Sequence, residues 1–201
     1  MGYLPFSTRA QGWEPKALEL RRLAGVGPTD LLDPWKLAPK LGLAVLDIND
    51  AINNLNSDER NHLLGLGRKS WSGGVYPKPL PNGDHLCILN PTHSPRRNKI
   101  TLMEEISHIH LKHIPSALKP ISDGIKVRDY HVTQEQDAYG VGAAALLPWR
   151  TFFLAVNAGR TIEELAENYE VTTSLIEYRL KITAAFRVYQ ARQRKGGRKG
   201  A

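Results

Sequence analysis

Three side chains within five residues could do chemistry: Glu104, Glu105 and His108, in the stretch TLMEEISHIHLKH at residues 101–113. On an α-helix, residues four apart share a face, and each residue is rotated about 100° from the one before it. Glu104 and His108 would therefore point together, with Glu105 beside them. In an HExxH helix, two ligands one turn apart hold a metal ion while the glutamate between them takes a proton from the attacking water. Here Glu104 stands where that motif has its first histidine. A catalytic zinc site uses three protein ligands and keeps a fourth position open. Glu135, near the start of the next expected helix, would be the third ligand if the chain doubles back after residues 114–129. The donor set would then be two carboxylates and one imidazole, with Glu105 as the base. Such a set is harder and more anionic than one with two histidines, which weakens its preference for zinc and admits manganese or iron.

Two other readings of the same residues stay open. Adjacent glutamates and nearby histidines also make an ordinary solvated helix face. Glu105 and His108 form a Glu-x-x-His unit, the half-motif of di-iron bundles, and Glu59 with His62 gives a second one. A bundle needs four long helices, whereas the middle of this chain reads as short strands. The other histidines do not complete the site. His110 would face away from His108, and His113 would lie about 140° round an unbroken helix, as a group supporting the ligands from behind or as a helix-end group complementing the macrodipole. His62, His85 and His93 read as surface or local hydrogen-bonding groups.

The elements that would position these groups follow from periodicity and punctuation. WEPKALELRRLAGV reads as a first helix with an apolar stripe of Leu18, Leu20, Leu23 and Ala24, ended by Gly25 and Gly27. In DLLDPWKLAPKLG, Asp33 is the expected N-cap, Pro34 the first helical residue and Gly42 the stop, with Pro39 bending or shortening the helix. LAVLDI reads as a strand, and residues 49–65 as irregular or partly helical. Residues 71–90 read as a hairpin, with GGVY and HLCILN as strands and PNGD as the turn. A buried helix is expected over about 97–113, from Ile100, Leu102, Met103, Ile106, Ile109 and Leu111, ending at Pro115. Residues 114–129 read as a loop, and VTQEQDAYGVGAAALLP as a helix stopped by Pro148. TIEELAENYEVTTSLIEYRLKITAAF reads as two helices, the first opened by a capping box of Thr161 and Glu164. The pair has the outline of a helix-turn-helix or of a plain helical hairpin, and its second helix offers Arg179 and Lys181 beside Glu177. The order of elements is that of an α+β fold.

Bulk properties narrow the function classes. The chain has 201 residues and a formal charge of +7, but six of its 27 basic residues lie after residue 185, where there is no acidic one. The body is thus nearly neutral, and the basic tail RQRKGGRKGA reads as disordered, with a weak nucleic-acid contact as its alternative role. A single cysteine, Cys87, excludes an intrachain disulfide and suits a reducing compartment. No segment approaches the roughly 18 apolar residues of a membrane span, and the start of the chain lacks a leader pattern, so the expectation is a cytoplasmic protein with no membrane partner.

Four ordered segments, WKLAPKLGLAV, RRNKITLMEEISHIHLKH, QEQDAYGVGAAALLP and TIEELAENYEVTTSLIEYRL, together resemble the ImmA/IrrE family of metallopeptidase-like proteins over roughly residues 35–180. The family's helix carries HELGH where this chain has EEISH. The resemblance implies a small zincin-like domain, a short sheet packed on the active-site helix, with a C-terminal helical region. It implies one divalent metal, zinc first, with manganese or iron as alternatives. By that resemblance Glu105 is the catalytic glutamate, and His108 and Glu135 are metal ligands, with Glu104 as the replacement ligand. Tyr130 and His131 are read as oxyanion-stabilising or proton-donating groups, or else as loop anchors. The implied activity is cleavage of a helix-turn-helix (XRE-type) repressor, relieving repression in stress responses or mobile elements. The competing expectation is a pseudo-peptidase that binds the repressor without cutting it, as an antirepressor or toxin-antitoxin component. The expected organisation is an N-terminal helical extension over 1–30, the zincin-like domain over 31–155, the helix-turn-helix-like region over 156–186 and the basic tail over 187–201.

Overall fold

The computed structural model describes residues 4–46, 57, 61–65, 69, 71–76, 79–113, 118–122, 125–128 and 131–196. Helix α1, Thr8–Ala24, is opened by the Ser7 side chain and closed by Gly25 in a left-handed conformation. It starts earlier than its sequence pattern predicts, and its inner face differs too. Ala10, Trp13, Ala17 and Leu20 are buried, together with Glu14 and Arg21, while Leu18 and Leu23 of the expected stripe are exposed. Helix α2, Pro34–Leu37, begins as expected, with the Asp33 side chain accepting from the Trp35 amide. Around Pro39 the chain tightens into a 3-10 turn, Ala38–Leu41, closed by left-handed Gly42.

Strand β1, Leu43–Leu46, runs parallel to β3, His85–Leu89, and β2, Gly73–Val75, pairs antiparallel with the other side of β3. The sheet order is β1-β3-β2, so the expected hairpin forms, and a crossover from β1 fills the third place. The strand's expected last residues, Asp47 and Ile48, lie outside the described residues. Within 49–65, Asn61–Gly65 forms a π-helical turn.

Helix α3, Pro95–His110, is capped by Ser94 with Pro95 in the first position, two residues before its expected start and well short of Pro115. Its buried residues Leu102, Met103 and Ile106 join one core cluster that runs through the sheet, α1, α2 and the later helices. A Cβ on Gly73 would stand 2.7 Å from Thr101 Cγ2, so the bare glycine lets β2 lie directly on α3. The segment after α3 is not the loop its composition predicts: β4, Leu118–Ser122, and β5, Ile125–Arg128, form an antiparallel hairpin with an irregularity between Pro120 and Ser122.

Helix α4, Val132–Leu146, returns against α3, and Pro148 stops it. Two glycines set how closely it is gripped. A Cβ on Gly142 would lie 3.1 Å from the Met103 carbonyl oxygen of α3, and one on Gly140 would overlap the Trp13 ring of α1 at 2.4 Å. Helix α5, Trp149–Asn157, was not apparent from the sequence. Its Trp149 amide donates to Glu14 Oε2 at 3.2 Å, so the group at its start comes from α1.

Helices α6, Ile162–Asn168, and α7, Thr173–Ile182, form the expected pair, with the Thr161–Glu164 capping box present. The turn between them is fastened to α3, since buried Lys99 donates to Glu170 Oε2 at 3.1 Å and to the Tyr169 carbonyl at 3.3 Å. Arg179 of α7 is fully buried and donates to Glu14 Oε1 at 2.6 Å and to the Leu147 carbonyl at 2.9 Å. It faces the core, so it is not available to read bases. The basic tail also begins as structure: α8, Phe186–Gly196, is a helix. Arg192 donates to Asn157 Oδ1, and Gln193 to the carbonyls of Gly159 and Arg160. No single helix among the described residues is long and apolar enough to cross a membrane.

Candidate metal centre

Helix α3 presents Glu104 and His108 one turn apart, and the first turn of α4 brings Glu135 opposite them. One ligand atom from each of the three lies within 4.8 Å of the others. His108 Nε2 is 3.6 Å from Glu135 Oε2. The close approach of the helices that makes this possible is local chemistry. Gly142 carries no side chain to wedge them apart, and the Ser107 hydroxyl donates back to the Met103 carbonyl at 2.7 Å rather than across the interface. From behind, α1 braces α4, with Trp13 Nε1 donating to Asp137 Oδ1 at 2.8 Å.

The electrostatics fit a cation. Burial first, and then the charges of Glu105 and Glu135, push the Glu104 carboxyl up to about 8, because a desolvated carboxylate beside two others resists ionising. A divalent ion is the partner that would let all three ionise together, and a carboxylate-rich donor set suits a hard or borderline metal. Glu105 is half-buried. After burial, its charge is the second reason the Cys87 thiol on β3 is pushed up to about 12, so Glu105 acts toward the sheet.

His113 departs from the expected placement on an unbroken helix. It does not continue the helix. Lys112 adopts a left-handed φ of 55°, and the chain folds back, placing His113 Nδ1 3.0 Å from His108 Nδ1. Burial and the neighbouring His108 hold the His113 imidazole below its usual range. His110 does face away, pairing with Glu19 of α1 at 3.2 Å. Tyr130 lies outside the described residues. His131 is exposed at the N-cap of α4, its carbonyl accepting from the Glu135 amide at 3.1 Å.

The sequence reading overlooked Tyr139, one turn after Glu135 on the same helix. Its ring meets Tyr178 of α7 edge to face, with centroids 4.8 Å apart. Burial, then the charge of Glu104, push its hydroxyl up to about 12. The spacing of four from Glu135 was the available signal.

No curated protein matches the chain. A peptidase family model described as the IrrE N-terminal-like domain matches residues 76–181, which takes in β3, the α3 helix with its glutamates, the returning α4 and most of α7. The chain belongs to the IrrE N-terminal-like domain family, a metallopeptidase-like family.

Proposed function

We propose that the chain is a metal-dependent endopeptidase in which Glu104, His108 and Glu135 hold one divalent ion and Glu105 is the general base. The observation that carries this reading is the convergence of three donor side chains from two helices within 4.8 Å, with a fourth side chain, Glu105, next to them on α3. A bound divalent ion would supply Lewis acidity, polarising the scissile carbonyl and acidifying water. Glu105 would take the proton of the attacking water and deliver it to the leaving amine. Glu104 and Glu135 would balance the ion's charge, and His108 would fix its position on the α3 side. Zinc is the first expectation, with manganese or iron favoured by the second carboxylate. The substrate class, by resemblance, is a helix-turn-helix repressor.

The test pairs metal content with cleavage. Wild type purified without chelator and incubated with zinc should hold near-stoichiometric metal and cut a cognate repressor. Glu105→Gln should keep the metal and the fold and lose cleavage by at least about 100-fold. Normal cutting by that variant would remove Glu105 from the mechanism. A second reading, a repressor-binding pseudo-peptidase, is favoured by one observation: Glu104 stands where the HExxH helix has its first histidine, which leaves a carboxylate-rich donor set. Release of repressor from DNA with no new fragment would select it.

A further inference from the structure

His113 follows His108 by five residues, a spacing that would set the two side chains on different faces of an unbroken helix. The helix ends first. With Lys112 left-handed, the His113 amide donates to the His108 carbonyl at 3.0 Å and the Lys112 amide to the Ile109 carbonyl at 3.0 Å, a helix-closing turn that reverses the chain. Backbone and side chain of His113 both come back to His108. The rings meet edge to face, centroids 4.9 Å apart at 76°, and the two Nδ1 atoms are 3.0 Å apart. At that distance the nitrogens share one proton, one donating and the other accepting. On the opposite side of the His108 ring, the 3.6 Å from Nε2 to Glu135 is too long for a hydrogen bond.

We infer that His113 is a positioning residue: its Nδ1 accepts the Nδ1–H of His108, fixing the tautomer whose Nε2 lone pair faces Glu104 and Glu135. The inference rests on the metal-site reading above. A ligating imidazole ordinarily gives its second N–H to a carboxylate, a carbonyl or water. Here the acceptor is another imidazole, carrying its own proton on Nε2. The choice has a physical logic, because a neutral acceptor orients the ligand without adding a further negative charge to Glu104, Glu105 and Glu135.

Imidazole nitrogen spectra of 15N-histidine-labelled protein, recorded without metal and during zinc titration, read the tautomer directly. Zinc affinity by chelator competition is measured alongside for wild type, His113→Ala, His113→Asn and His108→Ala. The expected result is His108 protonated on Nδ1 before any zinc is added. His113→Ala should mix the tautomers and weaken zinc binding about 10- to 100-fold, and His113→Asn, whose Oδ1 can accept, should recover most of the loss. His108 protonated on Nε2 in the metal-free wild type, or an unchanged zinc affinity in His113→Ala, overturns the inference while the metal site stands, provided His108→Ala loses zinc. Zinc binding that survives His108→Ala overturns the metal-site reading and the inference with it.

Discussion

Among the described residues, carboxylates are withdrawn from water in two places, fully at Glu14 and partly at the α3–α4 face, and are treated in opposite ways. Glu14 of α1 is held at both oxygens: Oε1 accepts from Arg179 at 2.6 Å and Oε2 from the Trp149 amide at 3.2 Å. At the α3–α4 face burial first, and then the negative charges of Glu105 and Glu135, raise the affinity of Glu104 for a proton. One cluster brings its cation within the fold. The other gathers negative charge as a site that awaits a cation would. Glu14 and Arg179 join α1, α5 and α7 with groups that serve the fold, whereas the α3–α4 carboxylates have no such cation among the charges that shift Glu104.

The largest effect should come from breaking the first cluster. Arg179→Met leaves Glu14 buried without its partner and should cost about 3–5 kcal/mol in urea unfolding, while Glu14→Met combined with Arg179→Met should recover most of it. A single variant as stable as wild type would erase the contrast. Next is the second cluster, read through pH. The folded-state value of Glu104, about 8, lies above its ordinary 4.5, so between those values the folded chain binds more protons than the unfolded one. Metal-free stability should therefore fall as pH rises through that window. Glu104→Gln should be more stable than wild type at pH 8.5 by on the order of 4 kcal/mol, with the advantage gone near pH 4.5. With zinc in excess the order should reverse, because the ligand stabilises the form that binds it. Gly142→Ala should give the smallest change in stability, roughly 1 kcal/mol, since its Cβ would meet the Met103 carbonyl oxygen at 3.1 Å and a small shift of α3 would relieve the contact. By spreading α3 from α4 it should weaken zinc binding more than it weakens the fold, a separation that calorimetry and unfolding together would read.

What was legible in the sequence is what local rules decide. Ser94 was not named as a cap, but the apolar repeat of α3 was plain. Asp33, Pro34 and Gly42 bounded α2, and the Thr161–Glu164 box opened α6. The spacing of Glu104 and His108, with an antiparallel return to Glu135, anticipated the grouping of three side chains that could hold a metal. The rest depends on partners far along the chain. Helix α5 takes its N-terminal acceptor from Glu14, and the inner face of α1 is hidden by its buried Glu14 and Arg21, which no hydrophobic pattern reveals. Helix α8 looked like a tail because its charges conceal the contacts of Arg192 and Gln193 with the α5 end. The fold-back of His113 depends on a lysine in a conformation that glycine usually takes.

The buried thiol on β3 also makes the protein its own stopwatch. Cys87 is the only cysteine of the chain, and burial together with Glu105 keeps it protonated at any ordinary working pH. A thiol in that state is a poor nucleophile, so an alkylating reagent in solution should meet it only when the sheet opens away from α3. The rate of labelling would then time that opening, without any engineered probe, and a drop in the rate when metal is added would report that an ion held between α3 and α4 also steadies the sheet on α3.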